Sequence, residues 1–257
     1  MELNERLNEI RVSNEGYEMK IVEYNNSSNI TIEFQDEHKA RVNTSYRHFK
    51  SGSICNPYHK SVCNIGYFGV GKYKAKINGE HTPAYKCWYK MMKRCYDPYF
   101  LNKDRNVTYI NCFVCEEWHN FQNFAKWYED NYYEVEGEKM ELDKDILVKG
   151  NKIYSPNTCI FVPVAINKLF NRHKGGRGRY PIGVSYNKYN ESLYVYCHKD
   201  SRQEYLGCFS LNKPFQAFYT YKVFKEKVIK QVADEYKNSI PQKLYEAMHK
   251  YEVEIND

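Results

Sequence analysis

Pro181-Ile-Gly-Val-Ser-Tyr186, Leu193-Tyr-Val-Tyr-Cys-His198 and Glu204-Tyr-Leu-Gly-Cys-Phe209 are three short runs in which apolar and polar side chains alternate. Alternation with period two, bounded by turn residues, predicts strands. Directly after them the period changes. Within Pro214–Tyr236, Phe218, Tyr221, Phe224, Val228 and Val232 recur at helical spacing, and Pro214 suits a first helical turn. Three strands closed by one long helix predict an α+β fold. A last short helix is expected to start at Pro241.

Upstream, Arg172-His-Lys-Gly-Gly-Arg-Gly-Arg179 reads as a basic, glycine-rich linker, and Pro163 opens a short helix with Ile166, Leu169 and Phe170. Residues 84–95 place Ala84, Trp88, Met91, Met92 and Cys95 on one helical face. Glu116–Asn131 does the same with Trp118, Phe121, Ala125 and Tyr128. Nearer the N-terminus, Met19 and Ile21 alternate with polar residues, Asn25-Asn-Ser-Ser28 is a turn cluster, and Ile30, Ile32 and Phe34 alternate again. That is a hairpin signal, with a further short strand around Ala40–Val42. Gly66-Tyr-Phe-Gly69-Val-Gly71-Lys72 lacks the Gly-Lys-Ser/Thr ending of a phosphate loop and reads as a flexible link. Three small modules are expected: an antiparallel β module at 1–65, a helix-and-hairpin core at 66–172, and a sheet with helices at 173–257.

Of 257 residues, 42% are apolar and 27% charged, a globular balance. The longest apolar runs, such as Cys159–Ile166, are far short of the roughly 20 residues that span a bilayer. No basic stretch followed by an apolar one opens the chain, so a cytoplasmic protein without membrane contact is expected. Nine cysteines, an odd number in that setting, predict free thiols. The 26 tyrosines suit small modules and contact surfaces, or reflect a coding bias. Charge is segregated. Residues 72–105 carry nine Lys/Arg against three acids, 116–145 ten acids against three lysines, and 172–213 eight Lys/Arg against three acids. A phosphate backbone would be drawn to the first and third stretches and repelled by the second.

Two sets of motifs carry resemblances. The first is Trp88-Tyr-Lys-Met91-Met-Lys-Arg94-Cys95-Tyr96, Val114-Cys115-Glu-Glu-Trp118, Phe121-Gln-Asn-Phe124, Leu142-Asp143-Lys144-Asp145, Tyr154-Ser-Pro-Asn157-Thr158-Cys159 and Asn167. This series resembles phage-borne HNH (His-Asn-His) endonuclease-like proteins over residues 66–172. The resemblance implies a general base, a metal-holding carboxylate and a second His or Asn around one divalent ion. Its general-base position falls on Lys144, which at a pKa of about 10.4 is protonated at neutral pH and cannot take a proton from water. The middle position falls on Thr158, beside Asn157. Asp143, Asp145 and Asn167 are what remain to hold a metal, so a vestigial site is expected, with Mg²⁺ entering only if the nuclease is active. His119 reads as a solvated surface residue. Cys112 and Cys115 form a CxxC that Cys95 and Cys159 could complete as a zinc site; buried packing thiols are the simpler reading.

The second set is Gly183-Val184, Leu193-Tyr-Val-Tyr196, Leu206-Gly-Cys-Phe209 and Phe215-Gln-Ala217-Phe-Tyr-Thr-Tyr221-Lys222. It is similar to the ethylene-response-factor and integrase-type DNA-binding domain over residues 178–232. That family lays a three-stranded sheet in the major groove. The resemblance assigns DNA contact to Tyr186, Lys188, Tyr194, Tyr196, Lys199 and Arg202, with Arg177 and Arg179 reaching the backbone from the linker.

Three functions follow as expectations. The first is a phage or prophage double-stranded DNA-binding protein with an inactive HNH-like core. The second is a non-enzymatic phage inhibitor that grips a bacterial anti-phage defence protein complex. The third is a metal-dependent nicking endonuclease. Basic and acidic segments in one chain also favour a homo-oligomer.

Overall fold

The structure is a computed structural model that describes residues 6–170, 179–199 and 202–257. The fold is α+β, with helices and several small separate sheets. Among the described residues no helix is long and apolar enough to cross a membrane. The chain forms two compact units: Met1–Asn131 with Lys152–Pro156, and Tyr132–Asn151 with Asn157–Asp257. The HNH-like stretch is therefore shared between them.

The first unit opens with an antiparallel meander, β1 (Ile10–Val12), β2 (Glu18–Asn26), β3 (Asn29–Phe34) and β4 (Arg41–Thr44). Met19, Ile21, Ile30, Ile32 and Phe34 are fully buried on one face, as their alternation requires, and Phe49 of α1 (Tyr46–Ser51) closes them over. A small hairpin, β5 (Lys76–Ile77) and β6 (Glu80–His81), leads into α2 (Pro83–Tyr96), with a short α3 (Pro98–Leu101) after it. Thr82 caps α2 by accepting from Tyr85 N. Trp88, Met91 and Met92 of α2 are buried, as are Phe121, Phe124 and Ala125 of α4 (Phe121–Asn131). The Trp88 indole N–H donates to Trp118 O at 2.7 Å. β7 (Phe113–Val114) pairs in parallel with β9 (Ile153–Tyr154).

Two expectations change here. Residues 66–72 are a pinned strap, not a flexible link. Tyr67 N donates to His119 O and Phe121 N to Tyr67 O, both at 2.9 Å, and Gly69 N donates to Pro57 O at 2.8 Å. Gly66 lies so close to Trp88 that a Cβ there would stand 2.8 Å from the indole. The same strap divides the helix expected over 116–131. Glu116–His119 is a 3-10 turn, Asn120 is extended where Tyr67 bridges it, and α4 begins after it.

In the second unit, β8 (Met140–Asp143) and β10 (Ile160–Pro163) form an antiparallel pair followed by α5 (Val164–Leu169). β11 (Val184–Asn187), β12 (Ser192–Lys199) and β13 (Arg202–Ser210) form the three-stranded sheet, followed by α6 (Pro214–Tyr236) and α7 (Gln242–Lys250). At 1.5 Å per residue α6 is about 34 Å long, and it serves two cores. Ala217 and Tyr221 pack with Val184, Leu193, Val195 and Cys197 of the sheet. Ile229 and Ala233 pack with Ile160 and Val162 of the hairpin, with Ile166 of α5 and with Leu244 and Met248 of α7. Gly183, at φ +78°, lies against the Tyr221 ring, so the sheet meets the helix closely there.

Candidate nucleic-acid interface

The pairing register sorts the sheet into two faces. Leu193, Val195 and Cys197 of β12 are buried beneath α6, so Tyr194, Tyr196 and His198 project from the opposite, open face. Directly paired residues share a face, which adds Ser185 across from Tyr194, Cys208 across from Tyr194 and Tyr205 across from Tyr196. A bulge between Val195 and Tyr196 lets both Leu206 and Gly207 fall on the helix side, and thereby keeps Tyr205 on the open one. Gly207 takes φ +140° in that bulge.

Three tyrosines thus form a cluster. Tyr194 and Tyr205 have ring centroids 5.6 Å apart, Tyr196 and Tyr205 5.5 Å, and Tyr194 and Tyr196 6.2 Å, the rings steeply inclined to one another. Asn190 Nδ2 donates to the Tyr194 hydroxyl at 2.6 Å and fixes its position. Tyr205 is 54% exposed, and desolvation by its neighbours raises its hydroxyl above the ordinary tyrosine value, so it stays a neutral phenol.

The expected contact residues divide. Tyr194 and Tyr196 stand on the open face. Tyr186 pairs with Leu193 and so lies on the helix side, its ring 6.2 Å from Tyr180. Lys199, two residues from Cys197 on the same side, sends Nζ to Gln231 Oε1 of α6 at 3.4 Å, and Arg202 pairs across from it. Lys188 sits in the turn between β11 and β12 over the Tyr189 ring, and Arg179 folds back onto Tyr180. Arg177 lies outside the described residues. Among the described residues, then, the open face carries no lysine or arginine; Lys188 stands in the turn at one end of the sheet, and Lys199 and Arg202 on the helix side at the other. Tyr205 escaped the sequence reading because the bulge, which no local pattern marks, sets its face.

The HNH-like positions lie on the β8–β10 hairpin and α5. Asp143 ends β8, and its Oδ1 accepts from Asp145 N at 2.8 Å and Ile146 N at 2.7 Å, capping the loop that follows. Burial, and then the nearby Asp145 carboxylate, push the Asp143 carboxyl up to about 6. Lys144 is buried, its Nζ 3.5 Å from Asp145 Oδ2, and its carbonyl accepts from Asn151 Nδ2. Asn167 Nδ2 donates to Glu141 Oε2 at 2.7 Å. This set does not fit a divalent ion. Asp143 spends an oxygen on two backbone donors, Asp145 faces an ammonium, and Asn167 turns to Glu141. Among the described residues no group of three or more His, Cys, Asp or Glu could hold a metal.

Elsewhere, His119 is not a solvated residue. Its Nε2 lies 3.1 Å from Val114 O and 3.4 Å from the Tyr96 hydroxyl, and partial burial lowers its pKa. Cys95, Cys112 and Cys159 are buried, with Cys115 half-buried. No family model matches the chain, and neither a curated protein nor a solved structure matches it.

Proposed function

We propose that the chain is a double-stranded DNA-binding protein of phage or prophage type, its sheet the DNA contact and its HNH-like ββα unit structural. The observation that carries this reading is the open face of β11–β12–β13, with Tyr194, Tyr196 and Tyr205 at its centre and Lys188 and Arg202 beside the turns at its two ends. Strands about 4.8 Å apart make the sheet roughly 10 Å wide between its outer strands, on the scale of a major groove about 12 Å across. Phenol hydroxyls and Gln203, which pairs across from His198 on the open face, supply hydrogen bonds to base edges, while the cations at the sheet ends meet phosphates and fix the register. The test is anisotropy with labelled duplex DNA in EDTA over about 50 to 200 mM salt. The reading expects salt-sensitive binding that weakens about tenfold or more in Tyr194→Ala/Tyr205→Ala. Absence of binding at the lowest salt rules it out.

One observation favours a second reading. An open face without lysine or arginine among the described residues, with three tyrosines packed together, is suited to a protein partner, because tyrosine combines a large apolar area with a polar tip at low entropic cost. That reading makes the protein a non-enzymatic inhibitor of a bacterial defence complex. It expects stoichiometric co-purification of a host protein through nuclease-treated lysate, lost in the same tyrosine double variant.

A further inference from the structure

The lysine-rich stretch 72–105 belongs to the unit built on α2 and α4, and the sheet has no use for it. Part of its charge is already answered. Lys72 Nζ and the Tyr73 hydroxyl both meet Glu129 Oε2, at 3.2 and 2.5 Å, and Lys93 pairs with Asp97 at 3.1 Å. Lys74 and Lys76 on the β5 side, and Lys86 and Lys90 on α2, are exposed, and among the described residues no acid is paired with them. Glu80 on β6 lies across from Ile77.

These lysines form two exposed pairs within one unit. A groove of about 500 Å³ is bordered by Lys72, Lys74 and Lys76 on the hairpin side and by Thr82 and Ala84 where α2 begins, with Phe121 at its base. Lys86 and Lys90 follow on α2 at i and i+4, about 6 Å apart along the axis and on the exposed side, away from the buried face that carries Trp88 and Met92. Tyr89, 39% exposed, lies beside them. Lysine ammonium groups on flexible stems act as point charges. They attract phosphates without the rigid bidentate geometry that reads bases.

We infer that the exposed lysines of the β5–β6 hairpin and of α2 make this unit a second DNA-binding element, which takes the phosphate backbone of a duplex without reading its sequence. The inference rests on the reading that the chain is DNA-directed, but it does not depend on the sheet. Lys74, Lys76, Lys86 and Lys90 each neutralise a phosphate and release counterions. Each such contact adds about 0.9 to the slope of log affinity against log salt.

The test uses the full chain and duplex DNA in EDTA, comparing wild type with the quadruple variant Lys74→Gln/Lys76→Gln/Lys86→Gln/Lys90→Gln. The slope should fall by about 3.6, so that the affinity advantage of the wild type shrinks about 10²-fold between 50 and 200 mM salt. A quadruple Lys→Arg variant, which keeps the charge, should restore the slope. All four residues are exposed, and an unchanged circular dichroism spectrum verifies the fold. An unchanged slope in the folded Gln variant overturns the inference, as does lysine-dependent capture of an acidic protein by a chain that ignores DNA. Tyr194→Ala/Tyr205→Ala separates the two proposals. If that variant binds like the wild type while the lysine variant loses slope, the sheet reading fails and this one stands. The reverse pattern overturns this one alone.

Discussion

Replacing Asp143 with asparagine tests whether the hairpin carboxylate is a strained structural group. The side chain lies under the loop it caps, and burial together with Asp145 places its folded pKa at about 6, against an ordinary value of 3.8. The folded chain therefore binds a proton that the unfolded chain releases between about pH 4 and pH 6. Stability from this group is greatest at low pH, falls as pH rises through that window, and stays low above it. A difference of about two pH units corresponds to ~3 kcal/mol. The amide introduced by Asp143→Asn keeps an oxygen for the Asp145 and Ile146 N–H groups but does not titrate. Its neutral oxygen is also a weaker cap, a difference that is the same at every pH. The informative quantity is therefore how the variant's difference from wild type changes with pH. That difference should shift in favour of the variant by ~2 kcal/mol between pH 4 and pH 7, because the unfolded carboxyl is already partly ionised at pH 4.

The assay is urea denaturation across that range, followed by far-ultraviolet circular dichroism. Trp88, Trp118 and Trp127 all belong to the other unit, so their fluorescence would report the wrong part of the molecule. The 23-residue α6 gives the second unit a strong helical signal. A difference that stays flat from pH 4 to pH 7, or moves toward the wild type, would refute the account of Asp143 as a buried carboxylate held against its preference.

Gly183→Ala should destabilise the second unit by about 3 kcal/mol, because a Cβ would stand 2.1 Å from the Tyr221 ring at a backbone φ of +78°; the same denaturation assay reads it. Supercoiled plasmid incubated with Mg²⁺ or Mn²⁺ should remain intact on an agarose gel, with wild type and Asp145→Ala indistinguishable. Metal-dependent nicking that disappears in Asp145→Ala would contradict the structural reading of the ββα unit.

Where local pattern decides structure, the sequence was readable. Pro214 and the period of Tyr221 and Val228 mark α6 with its observed bounds, and Met19 and Ile21, paired with Phe34 and Ile32, mark the first hairpin. The strap at 66–72 was not readable, because its order comes from bonds to His119, Phe121 and Gln122 about fifty residues away. The short β1 and α1 gave too few residues for any period to show. The candidate interface failed at one specific step. Strand positions were legible, but the faces of Tyr186, Lys199 and Tyr205 depend on register and on a one-residue bulge, and one residue of shift exchanges the faces of a strand.

The ββα unit makes sense as a brace once the two cores on α6 are considered together. The sheet and the first half of α6 form a small body with little apolar surface to bury, and chains of that size are marginal alone. The second half of α6 finds its partners in Ile160, Val162 and Ile166 of the hairpin and α5, and in α7. The segment after α7 then returns to the sheet. Val253 joins the sheet core, its carbonyl accepting from Lys222 Nζ at 2.9 Å, while Lys149 of the hairpin loop donates to Glu252 O at 2.8 Å and to Asp257 at 2.9 Å. One helix and one return segment thus couple the hairpin loop to the sheet. On the proposed reading, residues that would serve a nuclease serve this coupling instead: Asp143 orders the loop that carries Lys149, and Asn167 ties α5 to β8 through Glu141. The arrangement requires that loosening the loop be felt in the sheet. Lys149→Ala should therefore increase amide exchange at Val195 and Cys197 of β12, and protection there that matches wild type would separate the two cores.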